Sequence, residues 1–180
     1  HWDFGDLSTS TFQHPHHIFD SSGFYAVTFQ ALTEVGCFSD TTVDVLVWPT
    51  PTADFSFNDI CLADTAHFQN LSSISYGSIT YFWDFGNNSS STELSPSHFY
   101  SVVDTFSVSL ISVSNNACSD TIIHSIIVHE LPVLSLPNFD TLFCENDAPM
   151  QLISYPTGGI FIGSGIVEDT LYPPLANIGQ

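Results

Sequence analysis

The 180-residue chain contains 19 acidic residues and no lysine or arginine, so its formal net charge at pH 7 is −19. Such a polyanion repels nucleic acids and anionic membrane surfaces, and the sequence therefore excludes both as partners. Hydrophobic residues make up 43% of the chain, which is enough for packed cores, but no apolar run approaches the ~18 residues of a membrane-spanning helix.

A five-residue motif occurs twice in the chain. Its copies are Trp2-Asp3-Phe4-Gly5-Asp6 and Trp83-Asp84-Phe85-Gly86-Asn87. The offset between positions 2 and 83 is 81 residues, and it also relates Cys37 to Cys118 and Pro51 to Pro132. A repeat of this length predicts a tandem array of small domains. The tryptophan is expected to fill the space between two sheets, while Asp and Gly are typical of a tight turn.

The segments between these landmarks alternate between apolar and polar residues, which predicts antiparallel strands. Residues 24–31 show the alternation in the first copy, and residues 106–110 repeat it in the second. Residues 43–47 and 126–128 are predicted to close the two units, and residues 53–57 to open the second unit. Because no segment shows a sustained 3.6-residue apolar period, the predicted fold class is all-β.

Two proline-containing segments, Pro49-Thr50-Pro51 and Glu130-Leu131-Pro132, follow the closing strands. They are predicted to be short, stiff linkers, because proline stiffens the chain and cannot donate to a β-ladder. They divide the chain into residues 1–50, 51–131 and 132–180. The middle part is predicted to be a complete domain. The first is expected to be a partial domain whose N-terminal strands precede His1, and the third a partial domain as well.

The repeated motif belongs to a longer pattern, formed in the second unit by residues 83–87, 96–100 and 104–108. Trp-Asp-Phe-Gly, then Pro-x-His-x-aromatic, then aromatic-x-Val resembles the polycystic-kidney-disease (PKD) repeat, over residues 1 to about 131. The resemblance implies tandem immunoglobulin-like β-sandwiches of the PKD type. The second unit departs from the family pattern at Asn87 and Asp104, where the first unit has Asp6 and Gly23.

The third part lacks the motif, but residues 144–149 and 156–161 are similar to an immunoglobulin-like module of Bacteroidota surface proteins. That resemblance implies a secreted, cell-surface location and a connection with type IX secretion and gliding motility. Four cysteines in small β domains also favour an oxidising, extracellular setting. Cys61 and Cys118 lie in the complete unit and are predicted to form a disulfide. Cys37 and Cys144 are predicted to be unpaired within this chain.

No catalytic or metal site is predicted. The Asp-Phe-Gly tripeptide occurs in kinases, but a kinase needs a phosphate-binding lysine, and no Gly-x-Ser-x-Gly elbow is present. Residues 14–17 include three histidines, yet a strand would turn His17 away from the other two, and zinc needs three or four convergent ligands. Asp54, Asp59 and Asp64 are the candidate calcium ligands, although surface solvation is the favoured role for them, and no cofactor is expected.

Five Asp-Thr motifs fit the O-glycosylation rule that the Bacteroidota resemblance implies. Their candidate acceptors are Thr41, Thr65, Thr121, Thr141 and Thr170. The alternative is structural, since Asp turns the chain and the β-branched Thr enters a strand. This interpretation explains Thr41 and Thr121, as repeat-related sites, better than it explains the other three.

The sequence favours a non-catalytic segment of a secreted, multidomain surface protein, in which the sandwich modules act as spacers or as beads of an adhesin or fibre. One alternative is an accessory ligand-binding region of a secreted hydrolase, and another is a subunit of an extracellular filament. The expected partners are neighbouring domains, further copies of the chain, and surface glycans or proteins. Trp48 is the single tryptophan expected to be available for sugar stacking, because Trp2 and Trp83 are predicted to be buried.

Overall fold

Strands and turns account for almost all regular structure in the computed structural model, which describes residues 1–137 and 142–176. The all-β prediction is confirmed. A short 3-10 helix occupies Pro173–Leu175. Among the described residues, no helix combines the length and the apolar character needed to cross a membrane. The chain divides into two compact units, His1–His129 and Glu130–Gln180. The finer division at residues 50 and 131 stays a prediction.

Residues 1–47 form one four-stranded antiparallel sheet. Its strand order is β2-β1-β3-β4, and its strands are β1 (Trp2–Asp3), β2 (Thr9–Ser10), β3 (Gly23–Leu32) and β4 (Phe38–Val47). The ten-residue strands β3 and β4 make a long hairpin, in which Gly23 faces Val47 and Leu32 faces Phe38. The strands predicted at residues 24–31 and 43–47 are therefore confirmed.

Residues 53–129 form a sandwich of a large sheet and two small ones. The strands are β5 (Phe55–Ser56), β6 (Ile60–Cys61), β7 (Thr65–His67), β8 (Gln69–Asn70), β9 (Ile79–Asp84), β10 (Ser90–Ser91), β11 (Ser97–Phe99), β12 (Thr105–Ser114) and β13 (Ser119–His129). The large sheet has the order β10-β9-β12-β13-β6, and the small sheets pair β5 with β8 and β7 with β11. The opening strand β5 is shorter than the predicted 53–57.

Trp83 lies at the centre of this sandwich and has no exposed surface. Its ring contacts those of Phe55 and Phe68, with centroid distances of 5.1 and 5.8 Å. Its indole N–H donates to the carbonyl oxygen of Glu93 at 2.9 Å. Because the ring is fully covered and the N–H has a partner, the site satisfies both the apolar and the polar part of the side chain.

The 81-residue offset governs strand register as well as sequence. Trp2 pairs with Phe29 in the first sheet, and Trp83 pairs with Leu110, 81 positions after Phe29, in the second. The inward-facing side chains of the first sheet are nevertheless less buried than their counterparts in the second. Tyr25, Val27 and Phe29 are half-buried, whereas Val108 and Leu110 are fully buried.

Trp2 is half-buried, so the predicted burial is confirmed for Trp83 and is wrong for Trp2. The physical reason is the covering layer. Phe55 and Phe68 lie over Trp83, and no described residue takes that place over Trp2. The indole nitrogen of Trp2 is out of contact with solvent but has no hydrogen-bond partner within the described structure.

The unit from Glu130 to Gln180 contains a small three-stranded antiparallel sheet. Its strands are β14 (Met150–Gln151), β15 (Ile166–Val167) and β16 (Thr170–Leu171), in the order β14-β16-β15. Leu171 in β16 and Leu152, next to β14, are buried. The immunoglobulin-like character proposed for this unit stays a prediction.

The predicted disulfide between Cys61 and Cys118 is wrong, and all four cysteines are free. Cys61 pairs with His129 at the end of β13, while Cys118 immediately precedes Ser119, where the same strand begins. At ~3.3 Å per residue the 11-residue strand separates the two ends by about 30 Å. A disulfide requires Cα atoms within about 7 Å.

Replacing Trp83 with alanine should destabilise β12 far more than the same change at Trp2. The buried ring should be worth about 3–5 kcal/mol, while the half-covered ring of Trp2 should contribute less than half as much to β3. Native-state hydrogen exchange of the full chain, with strand-resolved mass spectrometry, measures both. Equal losses at the two positions would contradict the role assigned to the covering layer.

Candidate functional site

The two Trp-Asp-Phe-Gly copies form the same turn. In the second copy, Oδ1 of Asp84 accepts the Gly86 N–H at 2.9 Å, and the Phe85 N–H donates to the Ser89 carbonyl at 3.0 Å. The first copy repeats these bonds at 2.9 and 3.1 Å with Asp3, Gly5, Phe4 and Ser8. The aspartate thus satisfies a turn amide with its own side chain, as expected from the sequence.

The glycine of each turn lies directly against the backbone of the neighbouring strand. Gly86 has a φ of +77°, and a Cβ atom there would stand 2.6 Å from the Ser107 carbonyl oxygen. Gly5 has a φ of +79°, and a Cβ atom there would stand 2.9 Å from the Ala26 carbonyl oxygen. Both the backbone conformation and the close approach therefore require glycine.

A histidine lies on the phenylalanine of each turn. The ring of His98 stacks on Phe85 at 4.2 Å and meets the edge of Tyr100 at 4.6 Å. The Tyr100 hydroxyl donates to the Phe85 carbonyl at 3.1 Å. Burial, together with a smaller effect of the Asp84 carboxylate, raises the pKa of Tyr100 to about 12. In the first copy His17 stacks on Phe4 at 4.0 Å and contacts Phe19 at 4.6 Å.

The fifth motif residue binds this histidine in both copies. Nε2 of His17 lies 2.7 Å from Oδ2 of Asp6. The pKa of Asp6 is lowered to about 2, chiefly by the hydrogen bond from the Ser8 hydroxyl, with burial opposing the effect and His17 adding to it. In the second copy the Asn87 amide nitrogen lies 3.0 Å from Nε2 of His98. This bond requires an unprotonated Nε2, and burial lowers the pKa of His98 accordingly.

Asp6, Ser8 and His17 are the three residue types of a hydrolytic triad, but their geometry is different. Asp6 and Ser8 both approach the same imidazole nitrogen, Nε2, at 2.7 and 3.4 Å. The Ser8 hydroxyl donates to Asp6 rather than to the histidine. A triad needs the carboxylate on Nδ1 and the nucleophile on Nε2. The cluster therefore fixes the turn and does not activate the serine.

Among the described residues, no three His, Cys, Asp or Glu side chains converge on a point that could hold a metal ion. His14 and His16 are exposed, whereas His17 packs on Phe4. Of the aspartates considered as calcium ligands, Asp59 accepts the Ile127 N–H at 2.8 Å. Calcium binding by Asp54, Asp59 and Asp64 stays a prediction.

The candidate glycosylation sites differ in their surroundings. Thr41, Thr65 and Thr121 are exposed, Thr170 is half-buried and donates to the Glu168 carbonyl, and Thr141 lies outside the described residues. Thr41 faces Phe29, and Thr121 faces Ile111. In the repeat, the equivalent of Phe29 is Leu110, and Ile111 is the next residue along the strand. Because successive residues of a strand point to opposite faces, Thr41 and Thr121 lie on opposite faces of their sheets. Glycosylation at all five sites stays a prediction.

Sequence reasoning identified Trp48 but missed its aromatic neighbours. Trp48 lines an open cup together with Phe24 and Tyr76. The alternation in β3 could have identified Phe24 as an outward-facing residue, because it is out of phase with Tyr25. No pattern in the sequence indicates that Tyr76, which lies in the loop between β8 and β9, comes close to Trp48.

Comparison with known protein families gives one match, which covers the first turn. Residues 1–47 match the PKD domain family. This part of the chain is therefore similar to a PKD domain. Residues 53–129 repeat its turn and its histidine stack, and no catalytic family is indicated. Among curated proteins none matches the sequence.

Three solved structures are similar over 46% of the chain. They are the PKD1 domain of Vibrio anguillarum Epp (28% identity, 96% of that chain, TM-score 0.43), the PKD1 domain of the Vibrio cholerae metalloprotease PrtV (32%, 99%, 0.39), and a structure of carbohydrate-binding modules from the β-sandwich superfamily (27%, 36%, 0.45).

Replacing Gly86 with alanine in the Trp-Asp-Phe-Gly turn should cost more stability than replacing Gly36 with alanine in the turn between β3 and β4. Both glycines have positive φ, but a Cβ atom at Gly36 meets nothing within 4 Å. The Gly36→Ala variant should lose only the left-handed strain of about 1–2 kcal/mol, and Gly86→Ala should lose at least about twice that. Strand-resolved hydrogen exchange of β3 and β12 measures the losses. A Gly86→Ala loss no larger than that of Gly36→Ala would be inconsistent with the close approach to Ser107.

The stability of the second turn should fall on acidification. Because burial lowers the pKa of His98 below 6.5, the unfolded chain binds a proton first as the pH decreases. The stabilisation contributed by neutral His98 is therefore fully present above pH 6.5 and is lost as the pH falls from 6.5 through the lowered pKa of the folded state. The urea concentration at the midpoint of unfolding, followed by hydrogen exchange in β12 between pH 7.5 and 5, should depend less on pH in His98→Gln than in wild type. His14→Gln, at an exposed position, is the control and should follow wild type.

Proposed function

We propose that this chain is a non-catalytic, extracellular spacer that resists tension within a larger multidomain protein. PKD-type domains are typically non-catalytic extracellular modules of multidomain proteins. The observation that carries the proposal is the parallel pairing of β6 with β13, which joins the start of the 53–129 sandwich to its last strand.

This pairing aligns Ile60 with Val128 and Cys61 with His129. It is extended by the Leu62 N–H, which donates to the His129 carbonyl at 2.8 Å, and by Oδ1 of Asp59, which accepts the Ile127 N–H at 2.8 Å. When the sandwich is pulled from its two ends, the adjacent parallel strands move in opposite directions along their length. The bonds between them are then loaded together rather than one after another.

A second contact joins the beginning of the sandwich to the other end of β13. Oδ2 of Asp120 accepts the Ala53 N–H at 2.8 Å. The backbones of Thr52 and Ser73 exchange two hydrogen bonds, of 2.8 and 3.0 Å, and Pro51 is buried. These bonds hold the chain immediately after the Pro49–Pro51 segment, which supports a role for that segment as a stiff connection.

The resemblances described from the sequence extend the proposal to a cell-surface protein of Bacteroidota, exported by type IX secretion and linked to gliding motility. In that setting neighbouring domains of the same chain are the principal partners. O-glycans on the exposed Thr41, Thr65 and Thr121 would protect the modules in the extracellular space.

Pulling the full chain by terminal handles in an atomic force microscope tests the proposal. Asp59→Ala removes the bond to Ile127 and should lower the force at which the 53–129 sandwich unfolds, with an equilibrium loss of about 1 kcal/mol. Asp64→Ala is the matched control, because it makes the same charge change three residues beyond Cys61, and the Asp64 side chain makes no hydrogen bond in the described structure. Identical force distributions for the two variants would rule out β6–β13 as the tension-resisting element.

A further inference from the structure

An aromatic cup opens on the surface of the His1–His129 unit, beside the Pro49–Pro51 segment. It encloses about 310 Å³, and its walls are apolar, formed by Phe24, Leu46, Val47, Trp48, Pro49 and Tyr76. Its three aromatic side chains are 79% (Phe24), 39% (Trp48) and 71% (Tyr76) exposed. The sandwich core uses none of these rings, and contiguous exposed aromatic surface of this kind is typical of a binding site.

A polar groove of about 310 Å³ adjoins the cup, and Trp48 lines both. The two share Ser22, Val47, Trp48 and Pro49, and the groove adds Asp20 and Ser75. In the part of the chain that the structure describes, the side chains of Asp20, Ser22 and Ser75 make no hydrogen bond. Ligand-binding sites generally combine a concave, largely apolar surface with a few polar groups that orient the ligand. The aromatic cup, with a carboxylate and hydroxyls beside it, has both features.

The charge of the chain selects the ligand. With 19 acidic residues and no lysine or arginine, the surface repels anions and attracts cations. The faces of Trp, Tyr and Phe also attract a cation, and an arginine guanidinium can stack on such a ring while it bonds a neighbouring carboxylate. A second copy of the chain cannot supply that group, because it has no arginine or lysine either.

We propose that the cup binds an arginine side chain of a basic segment in a partner protein. The guanidinium stacks on Trp48 and Tyr76, and Asp20 in the adjoining groove accepts its N–H groups. The site recognises a cation on an extended, exposed segment and not a second copy of this chain.

Isothermal titration of the full chain at 0.15 M salt with an acetylated, amidated (Gly-Arg)4 peptide tests the proposal. Binding of one peptide per chain is expected, with affinity reduced about tenfold in Trp48→Ala and in Tyr76→Ala. Phe38→Ala is the matched control, because Phe38 is 68% exposed at the far end of the β3–β4 hairpin, and it should bind like wild type. Circular dichroism checks the fold, and Tyr76, as an exposed loop residue, provides a variant that leaves the core intact.

Charge variants separate stacking from general attraction. Asp20→Asn should weaken binding severalfold, while Asp64→Asn, with the same change in net charge, should not. Equal peptide affinity in all variants would mean attraction by the overall charge alone and would overturn the proposal. Absence of binding would overturn it as well. Cellohexaose binding that is lost in Trp48→Ala, without peptide binding, would replace the arginine site with a saccharide platform.

Discussion

The contact between the turn glycine and the backbone of the neighbouring strand is the constraint on which each sheet depends. Gly86 leaves no room for a side chain against Ser107, so the chain can bend back at this point while Trp83 remains in the core. The aspartate that precedes it bonds the glycine amide, and the histidine stack then covers the phenylalanine. The position of Trp83, the turn that follows it and the packing of the histidine on the phenylalanine therefore all depend on this one close approach.

The two copies of this turn show which features local sequence determines independently of the surrounding structure. Both have the same bonds, the same positive φ and the same stacked histidine. The tryptophan differs, because Trp83 is covered by Phe55 and Phe68 while Trp2 has no such cover among the described residues. The turn is a local property, and burial is a property of what packs over it.

A chain without lysine or arginine uses its carboxylates differently from most proteins. Asp59 and Asp120 accept backbone N–H groups of β13 and of the segment before β5, and Asp6 accepts from serine and histidine. Such bonds satisfy amides that would otherwise lack partners. They also explain how so acidic a chain keeps its sheets together, since a bond from a backbone N–H to a carboxylate does not require a side chain of opposite charge.

The sequence alone determined the all-β class, the positions of β3 and β12, the 81-residue repeat and the residues of the turns. These features depend on alternation and on turn chemistry, which act over a few residues and repeat 81 positions later. Tertiary structure decided the rest. Cys118 directly precedes β13 in the chain, whereas the parallel pairing of β6 places Cys61 at the opposite end of that strand. Tyr76 joins Trp48 only through a loop that brings distant residues together. Chain order does not specify such placements, because they arise from which sheet edge or surface a segment packs against.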